Sequence, residues 1–361
     1  MADLQKLGDI ERLSKHVLRV LGQNPGKFTL QGTNTYVIGS QNPYFLIDTG
    51  EGLDSYIPIL QSALDSARVL PDQPDVSDII LSHWHHDHIG GLPSVLKLLK
   101  QTWKDRFPDR PYTPPRLHKY PASNTQPGRH TTPHNILPNV IADIPAELYT
   151  PSPSGTIFHD LSDGQTFVDS SNDSGAPLLR VLHTPGHTVD SICLYIPQDR
   201  ALYTADTVLG HGTAVFEDLA TYLASLNKML HFGSPPASPG EVDLEYVTLY
   251  PAHGAIVANG RQTISTYIQH RLEREAQVLA VLRSPVPVEL HDGANAETKT
   301  TWTTWNLVRV IYKAYPENLW LPAAHGIDLH LRKLEGDGVV RNIGGDAQHT
   351  LWKVLPRTPS L

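Results

Sequence analysis

Residues 83–88 read His-Trp-His-His-Asp-His, so five of six consecutive side chains are potential metal ligands or bases. An apolar strand candidate, Val76–Leu81, runs directly before them, and Gly90-Gly91 stands behind. Three imidazoles and a carboxylate on one strand-to-helix turn repel and desolvate each other unless a cation holds them. Neutral imidazole nitrogens with a hard carboxylate oxygen suit Zn²⁺ or a similar first-row ion. The rest of the chain must therefore bring further ligands to the end of that strand.

A pair of metal ions in one pocket needs about seven protein ligands plus a bridging water. The segment His183-Thr184-Pro185-Gly186-His187 follows the apolar run 178–182 and places His187 on a Pro-Gly turn. Asp206 follows the strand-like Ala201-Leu202-Tyr203, and its two oxygens can bridge two cations. His253, in Pro251-Ala252-His253-Gly254, ends another β-rich stretch. Each lies just past a strand end, where a loop rim gathers groups distant in sequence. One histidine after a strand is ordinarily structural; four such signals in this order are a site.

These motifs resemble the metallo-β-lactamase superfamily. The resemblance implies an α/β fold, the αββα sandwich, and two metal ions, expected to be Zn²⁺. One ion would be held by His83, His85 and His187, the other by Asp87, His88 and His253, with Asp206 between them. Asp48, in Phe45-Leu46-Ile47-Asp48-Thr49-Gly50, matches the family's early strand-end aspartate. It would orient a ligand rather than be one, or simply form the turn before Thr-Gly. His86 should point away from the metals, and His183 should line the strand edge. Ala205 and Ala252 stand where glycine is common, and alanine fits both turns if φ stays negative.

At 361 residues the chain exceeds one average domain. Its net charge of −8 argues against a strongly nucleic-acid-seeking surface. Cys193 is the only cysteine, so no disulfide forms within the chain, and its alternating surroundings read as a strand that buries it. The start, Met1-Ala2-Asp3-Leu4-Gln5-Lys6, lacks the apolar core of a secretion signal. No run approaches the ~20 apolar residues that span a bilayer. A soluble, cytoplasmic protein without a membrane partner is expected.

Residues 17–49 read as short strands, 54–70 as a helix and 92–99 as the start of another. Between 101 and 153 the texture changes, with eleven of the 30 prolines in 53 residues. That density forbids regular helix or central strand. The stretch reads as an insertion, either a wall over the site mouth or a surface loop. His118, His130 and His134 within it read as solvated. Helical spacing marks 219–230 and, most clearly, 261–283, whose polar side carries His270, Arg271, Arg274 and Glu275. Residues 233–240 read as a Pro/Ser linker. The hydrolase part spans 1–286, and beyond Pro287 a module over 287–361 shows three helical stretches (298–314, 317–324, 327–335) and a Gly-Asp-Gly turn. It looks like a winged helix, a type that can read nucleic acid through its third helix. Here Arg332 and Lys333 cancel against Asp328 and Glu335, which favours packing or protein contact.

Gly32-Thr33-Asn34-Thr35-Tyr36, the Leu-Ile-Asp-Thr-Gly motif at 46–50, the metal motif, the 261–275 helix and Pro316-Glu317-Asn318-Leu319 together resemble the LACTB2-like branch. That branch implies one of two activities. The first is a fungal thioesterase that releases, or helps to cyclise, an aromatic polyketide held on the acyl carrier protein of a non-reducing polyketide synthase. The second is a single-strand endoribonuclease. The proline-rich wall, the acidic charge and an N-terminus without Arg/Ser-rich transit character favour the thioesterase. Asp87, a ligand beside the attacking water, is the expected proton donor and acceptor. A purely binding scaffold is a third class, against which the complete ligand set weighs.

Overall fold

The computed structural model describes residues 4–122, 135–168, 175–233, 244–290 and 301–356. Seven strands form the first sheet: β1 (Ile10–Arg12), β2 (Val17–Leu21), β3 (Asn34–Ile38), β4 (Tyr44–Ile47), β5 (Val76–Leu81), β6 (Arg116–Lys119) and β7 (Phe158–Asp160). The first four pair antiparallel, and β4 to β7 run parallel. Five strands form the second: β8 (Thr166–Val168), β9 (Pro177–His183), β10 (Ile192–Ile196), β11 (Ala201–Ala205) and β12 (Thr248–Pro251).

The central strands of the first sheet are buried on both faces, which is why they read as near-continuous apolar runs. Leu18, Leu46, Ile79 and Leu81 pack with Leu60 and Leu64 of helix α1 (Tyr56–Ala67) and with later helix residues such as Val95 and Leu96. Ile38, Phe45, Ile47 and Ile80 on the opposite face pack with Leu179, Val181, Ile192 and Leu194 of the second sheet. Cys193 is buried in β10, its sulfur 3.9 Å from that of Met229, and burial pushes its thiol up to about 11. It is a packing group. No helix among the described residues is long and apolar enough to cross a membrane.

The proline-rich stretch is more regular than proline density predicts. After the one-turn helix α2 (His86–Ile89), helix α3 runs from Leu92 to Arg106, past the expected limit, because no proline follows Pro93 until Pro108. Strand β6 occupies the proline-free interval between Pro115 and Pro121 and lies inside the sheet, between β5 and β7. Helix α4 (Leu137–Ala142) carries its proline in the first turn, where no hydrogen bond is lost. His118 is correspondingly buried rather than solvated: its Nε2 lies 2.7 Å from Asp78 Oδ1, beside the Arg116 guanidinium. Burial acts to raise the Asp78 carboxyl, but bonds from His118, Arg116 and Ser77 hold it below the ordinary value. His130, His134 and most of the 233–240 linker fall outside the described residues.

The remaining helices are α5 (Leu219–His231), α6 (Gly260–Leu282), α7 (Thr304–Ile311) and α8 (Trp320–Gly336). Chain contacts divide the protein into two compact units, Met1–Val215 with Ser225–Ile264 and Phe216–Ala224 with Ser265–Leu361. This partition falls inside α6, whereas sequence organisation places the change at Pro287. Val278 and Leu282, late in α6, pack with Leu307, Ile327 and Leu331 in the second core. The second unit ends in a three-stranded sheet of β13 (Trp302–Thr303), β14 (Val340–Gly344) and β15 (Leu351–Val354). Of the helical stretches expected at 317–324 and 327–335, Glu317–Leu319 is a 3-10 turn, and from Trp320 the chain runs on as the single helix α8 through Gly326 to Gly336. The Gly-Asp-Gly segment, read as a hairpin turn, instead carries the end of α8 into β14, and β14 pairs with β15 further on.

Lys119, the last residue of β6, forms a buried ion pair with Asp190, which also accepts a hydrogen bond from Thr188 Oγ1. Removing the cation leaves an uncompensated buried carboxylate, so Lys119→Met is expected to cost about 3–5 kcal/mol. Urea unfolding will show this, and the double variant Lys119→Met/Asp190→Asn should recover most of the loss.

Candidate metal centre

The backbone leaves β5 at Leu81, bends at Trp84, is extended at His85 (φ −65°, ψ 145°) and then makes one helical turn. Across the bend at Trp84 the two imidazoles meet, His83 Nε2 lying 3.0 Å from His85 Nδ1. The helical turn then carries Asp87 and His88 to a second position, where Asp87 Oδ2 and His88 Nε2 lie 3.3 Å apart. Gly-Gly after the motif permits a close approach: a Cβ at Gly91 would lie 2.0 Å from the Thr49 carbonyl oxygen, and one at Gly90 2.4 Å from that of Glu51. The end of β4 thus presses against the ligand turn.

All seven expected ligands converge in two groups, His83, His85, His187 and Asp206, and Asp87, His88 and His253, with ligand atoms in each group within 4.8 Å of one another. In the first, His187 Nε2 lies 2.9 Å from His85 Nδ1 and 3.2 Å from His83 Nε2, and His83 Nε2 lies 3.0 Å from His85 Nδ1. In the second, Asp87 Oδ2 lies 3.1 Å from His253 Nε2 and 3.3 Å from His88 Nε2. Asp206 joins them: Oδ2 is 3.5 Å from His187 Nε2, and Oδ1 is 3.2 Å from His253 Nε2. Tetrahedral ligands at metal bonds of about 2.1 Å stand about 3.4 Å apart, the spacing found here.

Outer partners fix which nitrogens face inward. His187 Nδ1 lies 2.8 Å from the Val215 carbonyl, which only accepts, so Nδ1 carries the hydrogen and Nε2 a lone pair. Ser82 Oγ donates to Asp48 Oδ2 at 2.8 Å and so accepts from His83 Nδ1 at 3.0 Å. His88 Nδ1 donates to Asp48 Oδ2 at 2.8 Å. With these outer hydrogens in place, the inward nitrogens can present lone pairs against two carboxylates once any inward proton is displaced. His88 Nε2 and Asp206 Oδ1 are buried with no aligned hydrogen bond, although they lie 3.5 Å apart. Divalent cations satisfy this donor set; the residues fit the group.

Metal-free electrostatics agree with that assignment. Burial, then neighbouring imidazoles, hold His83 well below its ordinary value and His85 at about 3, so both are neutral and ready to ligate. For His88 and His253 burial acts to lower the value, but the carboxylates win. His88 rises well above the ordinary range under Asp87, Asp48 and Asp206, and His253 rises to about 9, chiefly under Asp206. Burial acts to raise Asp87 and Asp206, and the histidines hold both far below the usual carboxylate range.

Asp48 is not in either group; it orients His88 from behind, as expected of the early aspartate. His86 faces solvent, with its side chain 54% exposed. His183 stacks on Tyr120 with ring centroids 3.8 Å apart. Ala205 departs from expectation: its φ is +45°, because the turn into Asp206 needs left-handed backbone. An L-residue there costs roughly 1–2 kcal/mol. The positioning role of Lys119 and Asp190, which brace the His187 turn through Thr188, was not legible, since a lysine in a proline-rich stretch carries no such signal.

The sequence model described as the metallo-beta-lactamase superfamily matches residues 28–253, and that of the beta-lactamase-associated winged helix domain matches residues 303–352. A "Beta-lactamase-like protein 2 homolog" of Drosophila melanogaster is 33% identical over 333 residues, 92% of each chain. An "Atrochrysone carboxyl ACP thioesterase" of Aspergillus terreus is 33% identical over 340 residues, 93% of this chain and 85% of its own. A beta-lactamase domain protein from Burkholderia ambifaria shares the fold, with a TM-score of 0.61 at 18% identity, over 98% of this chain and 96% of its own.

The raised histidines give a pH dependence. Below about 9 His253 holds a proton in the metal-free protein, and a cation must displace it. Metal affinity is therefore lost as pH falls and gained as pH rises towards 9, by about tenfold per unit for each proton displaced. A pH-stat titration with zinc at neutral pH should record proton release; uptake without release contradicts the assignment.

Proposed function

Because the chain belongs to the metallo-β-lactamase superfamily, we propose that it is a dinuclear zinc thioesterase acting on an aromatic polyketide bound to an acyl carrier protein. It would work beside a non-reducing polyketide synthase in secondary metabolism, releasing the chain or assisting its cyclisation. The observation that carries the hydrolase reading is the convergence of seven side chains on two adjoining points, with Asp206 facing both. The carrier-protein substrate is supported by the name shared by fungal relatives, "Atrochrysone carboxyl ACP thioesterase", while the net charge of −8 leans away from an RNA substrate. A cytoplasmic location, and a division into a hydrolase part over 1–286 and a winged-helix-like module over 287–361, belong to the same reading.

Bound zinc would bring a water's pKa towards neutrality and polarise the thioester carbonyl. His83, His85 and His187 would hold one ion, Asp87, His88 and His253 the other, and Asp206 would span them. Asp87 takes the proton of the attacking water and returns it to the departing thiolate as the carbon–sulfur bond breaks. Products are a carboxylic acid and a thiol. His88 keeps its aim because Asp48 holds its far nitrogen.

A second reading, single-strand endoribonuclease, has its own support: the animal relative matches at the same 33% identity across 92% of both chains. Two incubations separate them, one with an aromatic acyl–acyl carrier protein thioester and one with unstructured RNA. Acyl release without RNA cleavage is expected, and the reverse outcome overturns the thioesterase. Asp87→Asn should retain at least one zinc but lose roughly 100-fold or more in turnover; full activity removes Asp87 from the proton-transfer role.

A further inference from the structure

The segment Gly32-Thr33-Asn34-Thr35-Tyr36 follows a loop that enters β3 beside the second ligand group. Thr33 Oγ1 lies 3.3 Å from Asp87 Oδ2. Asn24 clamps Thr33 from the other side. Its Oδ1 accepts the Thr33 backbone N–H at 2.8 Å, which sets the amide, and its Nδ2 then donates to Thr33 Oγ1 at 3.0 Å and to Glu51 Oε2 at 3.0 Å. The Thr33 hydroxyl thus receives a hydrogen bond from Asn24, and its own proton is left to point at Asp87. The clamp is close-packed: a Cβ at Gly22 would lie 3.0 Å from Asn24 Oδ1, and Gly32 has φ +131°.

The same segment secures His253. Asn34 donates through Nδ2 to the carbonyls of Pro251 (3.0 Å) and Gly254 (2.9 Å), and its backbone N–H reaches Ala252 O at 2.7 Å. One short stretch therefore holds both a carboxylate and an imidazole of the second group, whereas His83 and His187 donate their outer hydrogen bonds to Ser82 Oγ and the Val215 carbonyl instead.

We propose that Thr33, oriented by Asn24 and Glu51, is a positioning residue that fixes the Asp87 carboxylate for the second metal ion. The role rests on Asp87, His88 and His253 being ligands, as proposed above. A hydroxyl donating to one lobe of Oδ2 leaves the other lobe directed between His88 and His253. Without that donor the carboxylate is free to rotate out of plane, and the second ion is lost before the first.

The test is zinc titration of the full chain against a chelating indicator, comparing wild type, Thr33→Val, Thr33→Ser and Asn24→Asp, with thermal unfolding of each metal-free form. Wild type should take up two ions. Thr33→Val, nearly the same shape without a hydroxyl, should weaken the second ion by roughly 10–100-fold and leave the first within about twofold. Thr33→Ser should restore wild-type uptake. Asn24→Asp discriminates most sharply. An added negative charge alone would tighten cation binding, but an aspartate there accepts the Thr33 proton and turns it away from Asp87, so the second ion should weaken as in Thr33→Val. Two tight ions in Thr33→Val, or tighter zinc in Asn24→Asp, overturns the inference and leaves the metal centre standing. Failure of the wild-type chain to bind zinc overturns both.

Discussion

One carboxylate, Asp48, joins the two sheets to the ligand turn. It is fully buried at the end of β4, in left-handed backbone (φ +60°), which aspartate tolerates better than most residues. An unpaired carboxylate in that position would be prohibitive. Four donors meet it: the Ser82 N–H and hydroxyl after β5, His88 Nδ1 in α2, and the Tyr203 hydroxyl from β11 in the opposite sheet. Burial and the Asp48 charge push the Tyr203 phenol far above its ordinary value, so it acts only as a donor. With every proton around Asp48 assigned, the tautomers of His83 and His88 are fixed, and so is the inward direction of their lone pairs.

The two ligand groups solve the charge problem differently. The first pairs His187 with His83 and His85, which burial and neighbouring imidazoles keep neutral, and it relies on one oxygen of Asp206 for negative charge. The second has a carboxylate of its own and shares the other Asp206 oxygen. Without a cation, protons on His88 and His253 balance those carboxylates. The second group therefore depends more on where its carboxylates point, and the loop 22–36 supplies that direction. The first is braced from behind by the Val215 carbonyl and, through Thr188, by the Lys119–Asp190 pair.

Much of this was legible in sequence because the ligand residues come directly after apolar strands and end them. Val76–Leu81 was read at its observed bounds, and a strand that ends at a sheet's rim delivers its next few residues to that rim. The features that escaped reading were set by tertiary context. Strand β6 lies amid prolines, and composition over 53 residues hid four without one. His118 looked solvated because nothing local announces Asp78, 40 positions away in sequence. At Ala205 the need for positive φ comes from the close parallel pairing of β11 with β12 and the turn into Asp206, not from the residue itself. Helix α8 runs on through Gly326, between the two stretches read as separate, and a Cβ there would meet nothing within 4 Å, so the glycine is a tolerated weakness in a continuous helix.

Ligand geometry alone does not choose between a thioester and a phosphodiester, since both need an activated water and a polarised electrophile. The choice lies in the surroundings, and there charge balance is informative. A protein that grips a nucleic-acid backbone must offer cations not already neutralised. In α8 the Arg332 Nε is bonded to Asp328 at 2.6 Å, and the Lys333 ammonium to Glu275 and Asp337 at 3.0 and 2.8 Å. Moving those cations to phosphates would break pairs within and beside the helix. His330, just before them in sequence, is held at about 3 by burial and by Arg271, Arg274 and Lys333, and adds no charge. The winged-helix module thus lacks on α8 the free cations a recognition helix needs, and that weighs against nucleic-acid reading through this helix.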